Sequence, residues 1–471
     1  MSSLLTIMKP RSERWVPRSY QRRIMKWMLE NGGAAIFAEP GLGKTACALG
    51  VIKELKEAGM MNRALVIAPL RVCYNVWPEE VSKWSQFAGL TTAILHGPNK
   101  EKALESGADI LLINPEGLAW MMPRLKELEA DVLIVDESTR FKNTRSLRFK
   151  LLKPALNSFS RRYALTGTPV SNGFLDLFGQ AYLVDQGRAL GQFITYFRLK
   201  YFYQSGFGGY TWALKPGADK EIMKACKPFA ISLKAEDYLE LPPLVNNIVR
   251  VTLPVPARKA YDSMEEQLFA ELENGEAVTA LSASGAAGRC CQIANGGVYR
   301  EELKNGKVER ITEQIHDAKT EALEDLIEQS SGPVLVTYEY QHDVERILKV
   351  FPKAPVLGGG ASPKRASEII AAWNRKEIPV LAGHPASMGH GLNLQGGGNT
   401  IIMYSVPYDY ELYQQVVRRV LRQGVKFSRV IVHHVIATNT VDEAKLRALD
   451  RKAKTQNGFL DALRTYRRSK A

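Results

Sequence analysis

Ala34-Ala35-Ile36-Phe37-Ala38-Glu39-Pro40-Gly41-Leu42-Gly43-Lys44-Thr45 is the stretch that decides how the chain is read. A short apolar run, as in a buried parallel strand, ends in a glycine-rich turn, and a helical pattern opens at Lys44. Glycines let backbone amides close around phosphate oxygens, and a helix N-terminus adds its positive dipole end. In such a loop Lys44 neutralises the β- and γ-phosphates of a nucleotide and Thr45 holds Mg2+; Gly41 and Gly43 give the backbone its freedom. The general pattern has Gly at position 38, where this chain has Ala38.

Outward from this loop, short apolar runs alternate with amphipathic segments. Ala64–Ala68, Ile110–Ile113, Val132–Val135 and Tyr163–Leu165 read as further parallel strands, and Tyr20–Leu29 as a helix with Ser19 as its N-cap. That is the rhythm of a doubly wound α/β domain. It breaks after Val184, through a stretch richer in helical segments, glycine turns and aromatics. It resumes with Val334–Thr337, Val380–Ala382, Thr400–Met403 and Val430–Ile436. The expected division is an ATP-binding domain over 1–184, a mainly helical insertion over 185–316 and a second α/β domain with a basic tail over 317–471.

Asp136-Glu137 follows the run Val132–Val135. Carboxylates at the end of a buried parallel strand lie at the ligand-binding edge of the sheet. Downstream of a phosphate loop, Asp136 is placed to hold Mg2+ and Glu137 to orient and deprotonate an attacking water. In the second half, Glu411–Gln423 has helical character. At the α-helical repeat, Gln415, Arg419 and Arg422 fall within about 60° of one another, opposite Val416, Val417, Val420 and Leu421. Two guanidiniums on such a face can stabilise charge on a transferring phosphoryl group.

Composition narrows the partners. The 471 residues are 45% hydrophobic and 24% charged, in the range of globular proteins with more than one core. No apolar run reaches the roughly 20 residues of a membrane span, so no membrane partner and a cytoplasmic location are expected. Five cysteines at irregular spacing read as buried thiols. The net charge of +14 points to a polyanion, and it is clustered: seven basic residues and no acidic one lie between Lys142 and Arg162. Trp77 and Trp84 read as core.

Together the phosphate loop, Asp136-Glu137, Leu165-Thr166-Gly167-Thr168-Pro169 and Gln415 with Arg419 and Arg422 resemble motifs I, II, III and VI of superfamily-two helicases. Thr166–Asn172 and Gly389-His390-Gly391-Leu392-Asn393-Leu394-Gln395 resemble the Swi/Snf-type DNA translocases, especially compact bacterial and bacteriophage forms. The resemblance runs over residues 15–450. It implies two RecA-like parallel-sheet domains, with Gln21 reading adenine and Gly391 at the nucleotide. It also implies nucleic-acid contacts from Arg71, Asn114, Lys142, Thr166, Asn172 and Ser387. Thr139 stands where the family has a His that couples nucleotide state to motif III, so that coupling is expected to differ. Val425 stands where Gln is usual.

The activity implied is ATP-driven movement along nucleic acid, duplex DNA before other forms. The alternatives are a strand-separating DNA or RNA helicase and a nucleic-acid-binding ATP sensor that does not hydrolyse. A protein partner supplying the target, a monomer or weak oligomer, and a host-cell cytoplasm if the source is viral complete the expectation.

Overall fold

The computed structural model describes residues 13–205, 211–273, 280–304, 307–358, 362–388, 392–422, 425 and 427–468. Seven strands form the first sheet: β1 (Gly33–Ala38), β2 (Arg63–Ile67), β3 (Thr92–Ile94), β4 (Ile110–Ile113), β5 (Ala130–Asp136), β6 (Arg161–Thr166) and β9 (Ala230–Leu233). Their order is β3-β4-β2-β5-β6-β1-β9, with every pairing parallel. Helices such as Ser19–Glu30 and Lys44–Glu57 accompany this sheet. The strands are almost wholly buried, which is why they read as continuous apolar runs and not as alternating ones.

The functional consequence is positional. β5, β6 and β1 are adjacent in the sheet, with Asp136 beside Leu165 and Thr166 beside Phe37. The phosphate loop, the Asp136-Glu137 pair and the Thr166–Pro169 turn therefore leave three neighbouring strands at one carboxyl edge.

The second sheet holds β10 (Leu244–Val251), β13 (Val334–Thr337), β14 (Val356–Leu357), β15 (Val380–Gly383), β16 (Thr400–Met403) and β17 (Val430–Ala437). The order is β10-β17-β16-β13-β15-β14, again all parallel. Its core includes Leu335, Leu381, Ile401, Val416 and Trp373. Two antiparallel hairpins stand apart: β7 (Phe202–Ser205) with β8 (Thr211–Leu214), and β11 (Gly297–Lys304) with β12 (Lys307–Gln314).

The stretch 185–316 is not set apart as one body. It supplies helices, among them Val255–Glu273 and Ala280–Asn295, but β9 pairs with β1 and β10 pairs with β17. Among the described residues, one compact unit takes those of 13–205, 211–239 and 454–468, and the other those of 240–453. The division thus falls near residue 240, not at 184 and 316. An unpaired edge on β1 leaves backbone groups without partners, and β9 closes it.

Candidate functional site

The phosphate loop takes the shape its glycines permit. Gly41 has φ +93° and Gly43 φ +77°, the latter as the left-handed N-cap of helix Lys44–Glu57. Lys44 reaches back along the loop and donates from Nζ to the Ala38 carbonyl at 2.6 Å. Gln21 braces the same loop. Its Nε2 donates to Leu42 O at 3.2 Å while its Oε1 accepts from the Arg18 amide at 2.9 Å. A side chain at Gly43 would run into Gln21 Nε2. Tyr20 packs on Tyr238 with ring centroids 4.7 Å apart, and Ala235 N donates to Glu39 Oε2 at 2.8 Å.

Asp136 ends β5, nearly buried. Its Oδ2 accepts from the Trp77 indole at 3.1 Å and its Oδ1 from the Glu137 amide at 3.1 Å. Burial, then the neighbouring Glu137, pushes this carboxyl above the ordinary carboxylate range, against the pull of Lys44. A carboxylate held dry beside a lysine suits a divalent cation, which would restore its charged form. Glu137 itself has φ +55°, a left-handed backbone rare for a non-glycine residue. Such strain concentrates at working sites, where it aims a side chain. Gly167 lies against the loop as well: a Cβ there would sit 2.9 Å from Pro40 Cδ. The donors and acceptors of this edge fit a Mg2+-bound nucleoside triphosphate.

Trp77 reads from the sequence as core, with no further role. It is fully buried, as expected, and it also holds the Asp136 carboxylate. The signal was present: a buried indole N–H requires an acceptor.

Among the expected nucleic-acid contacts of the first unit, Arg71 and Lys142 are half-buried and Asn172 is exposed. Lys142 forms an ion pair with Asp176 at 3.4 Å, and buried Asn114 donates to Glu116 Oε2 at 2.7 Å. Thr166 differs from expectation. It is wholly buried, and its hydroxyl accepts from the Thr168 amide at 3.2 Å. Its position in the sheet interior turns it from a surface contact into a clamp on the turn.

In the second unit, Asp409 caps helix Tyr410–Val420 by accepting from Glu411 N at 2.8 Å. Val416, Val417 and Val420 are buried and Arg419 is partly exposed, its Nη1 donating to Leu392 O at 3.4 Å. The helix stops at Val420, however, because Leu421 leaves helical geometry at ψ +87°. Arg422 therefore stands beyond the helix, and the shared helical face expected for Arg419 and Arg422 is not formed. Ser387 is half-buried on the helix Pro385–Met388; Gly391 lies outside the described residues.

A phosphate loop on one parallel-sheet unit, with a second such unit in the same chain, defines the helicase-type ATPases. The chain belongs to the SNF2-related family: the SNF2-related domain matches residues 20–293, and the helicase conserved C-terminal domain matches 318–424. Protein p41 of Acyrthosiphon pisum secondary endosymbiont phage 1 is 36% identical over 96% of this chain and 99% of its own length. The ATP-dependent helicase/translocase named YwqA of Bacillus subtilis is 25% identical over 90% of this chain, which spans 47% of that protein. A solved Sulfolobus solfataricus SWI2/SNF2 ATPase core in complex with dsDNA aligns over 96% of this chain and 95% of its own at 22% identity, with a TM-score of 0.44. The protein is an ATP-hydrolysing motor of the helicase type. No helix among the described residues is long and apolar enough to cross a membrane.

Proposed function

We propose that the protein binds duplex DNA, hydrolyses ATP in response, and uses the cycle to move along the duplex without needing to separate its strands. The observation that carries this reading is the convergence of loop, carboxylates and turn on β1, β5 and β6, with Gly167 against Pro40. A turn packed on the nucleotide loop is suited to report nucleotide state to a bound polymer.

In this reading Gly41, Gly43 and Lys44 hold the phosphates, Thr45 and Asp136 hold Mg2+, and Gln21 serves the adenine end while bracing the loop. The cation supplies charge neutralisation at the phosphates when bound. Glu137 orients the attacking water and takes its proton. Arg419 and Arg422 stabilise charge on the γ-phosphate, and Gly391 serves the nucleotide. Arg71, Asn114, Lys142, Asn172 and Ser387 serve the phosphate backbone. Such contacts give little sequence preference and strong salt dependence, in keeping with a net charge of +14. The phage relative favours the cytoplasm of a bacterial host as the setting.

Displacement of a third strand from a DNA triplex tests this directly. ATP-dependent displacement with the flanking duplex left intact supports translocation. Displacement that occurs only with unwinding of the flanking duplex supports the strand-separating reading instead.

A further inference from the structure

Ser138 follows Glu137 directly, is fully buried, and donates from its hydroxyl to Gln180 Oε1 at 2.9 Å. Gln180 lies on helix Leu177–Asp185, whose other buried residues are Leu177, Phe178, Gly179, Ala181, Tyr182, Leu183 and Val184. An amide in such surroundings is costly unless its groups are used, and here they are. Its Nε2 donates to Pro169 O at 2.7 Å and to Asp176 O at 2.8 Å. Gly179 permits the approach, since a Cβ there would strike the Phe141 carbonyl.

The same turn is gripped from its other side. Gln456 is fully buried on the last helix, Val441–Arg468, in the segment that groups with the first unit. Its Oε1 accepts from the Val170 amide at 3.0 Å, and its Nε2 donates to Gly167 O at 3.2 Å. A continuous set of buried hydrogen bonds thus runs from the residue beside Glu137, through Gln180, to the Gly167–Val170 turn, and on to Gln456.

We infer that Ser138, Gln180 and Gln456 are positioning residues that couple the Asp136-Glu137 end of β5 to the Thr166–Val170 turn. In a dry interior each bond of such a chain polarises the next. A double-substitution cycle measures such coupling. The inference rests on the roles given above to Glu137 and the turn.

The measurement is steady-state ATPase of the full chain, with and without blunt duplex DNA, for Ser138→Ala, Gln180→Leu, their double variant and Ser138→Thr. Expected for each single variant is a DNA-free rate within about twofold of the parent and a stimulated kcat lowered about tenfold. The double variant should be no worse than Gln180→Leu, and Ser138→Thr, which keeps the hydroxyl, should retain stimulation. Equal loss of free and stimulated rates together with a lowered Tm, independent additivity, or unchanged stimulation would each overturn the coupling. Should Gln180→Leu not fold, the contrast between Ser138→Ala and Ser138→Thr decides. A parent protein stimulated by no nucleic acid sinks the functional reading and this inference together; a stimulated parent with unaffected variants sinks this inference alone.

Discussion

Trp77 and Asp136 are joined by an indole N–H···Oδ2 hydrogen bond of 3.1 Å that crosses from one helix to the end of β5. The indole stabilises the charged form of a carboxylate that burial, and then Glu137, push toward the neutral form. Trp77→Phe keeps most of the apolar volume and removes the donor. A hydrogen bond to a buried charge is worth about 1.5–3 kcal/mol, so the Asp136 titration should rise by about one to two pH units. The acid limb of the ATPase pH profile should move up with it, and more Mg2+ should be needed at neutral pH. An unmoved profile would reduce Trp77 to packing.

Lys44 and Glu137 act at different steps. Lys44→Ala should abolish ATP binding measured with a fluorescent nucleotide. Glu137→Gln should bind ATP normally and hydrolyse it at least about a hundredfold more slowly, the usual scale for losing a general base. A Glu137→Gln protein with parental kcat would return the site to a sensor.

Gly43→Ala combines two insults: a left-handed φ of +77° and a Cβ against Gln21 Nε2. A left-handed conformation costs a non-glycine residue about 1–2 kcal/mol, and Gln21 must also give up its place on Leu42. The expected outcome is an ATP KM raised at least about tenfold, with kcat much less affected. Gly59→Ala is the control, since it shares a left-handed φ of +65° but has open space around it and lies away from the loop. Equal kinetic effects at both positions would contradict the account.

His316 ties acid stability to the second unit. It is buried, and its Nε2–H donates to the Ile293 carbonyl at 2.8 Å while Nδ1 accepts from the Ala318 amide at 3.3 Å. Burial, the largest cause, lowers its pKa from 6.5 to about 4. The folded state then binds fewer protons than the unfolded chain between these values. The stability contribution is complete above pH 6.5 and is lost progressively as pH falls toward 4, on the order of 3 kcal/mol in all. Urea titrations of parent and His316→Asn across this window should show a steeper loss in the parent. Parallel pH dependences would exclude His316 as the source.

Most of the two sheets was legible because buried parallel strands read as apolar runs, and the nucleotide site because its chemistry needs few residue types at fixed spacing. Ala34–Ala38 and Val132–Val135 carry both signals at once. What was hidden depended on long-range pairing. β9 completes the first sheet only through β1, and β10, Leu-Val-Asn-Asn-Ile-Val-Arg-Val, mixes polar and apolar residues with no buried periodicity. Arg422 was placed on a helix face because nothing local announces the break at Leu421. The resemblance gives Thr166 as a nucleic-acid contact, yet the residue is buried and its hydroxyl accepts from the Thr168 amide. Gln180 and Gln456 meet the same turn from sequence positions far apart, which no local pattern reveals.

The rate of ATP hydrolysis by the purified chain, with blunt duplex DNA, single strands or RNA and with Lys44→Ala alongside, bears most directly on the whole reading. Duplex DNA should raise the rate at least about tenfold, with the gain fading as salt rises and absent in Lys44→Ala. A parental rate no higher than that of Lys44→Ala, or a gain from single strands alone, would contradict a motor that works on duplex DNA.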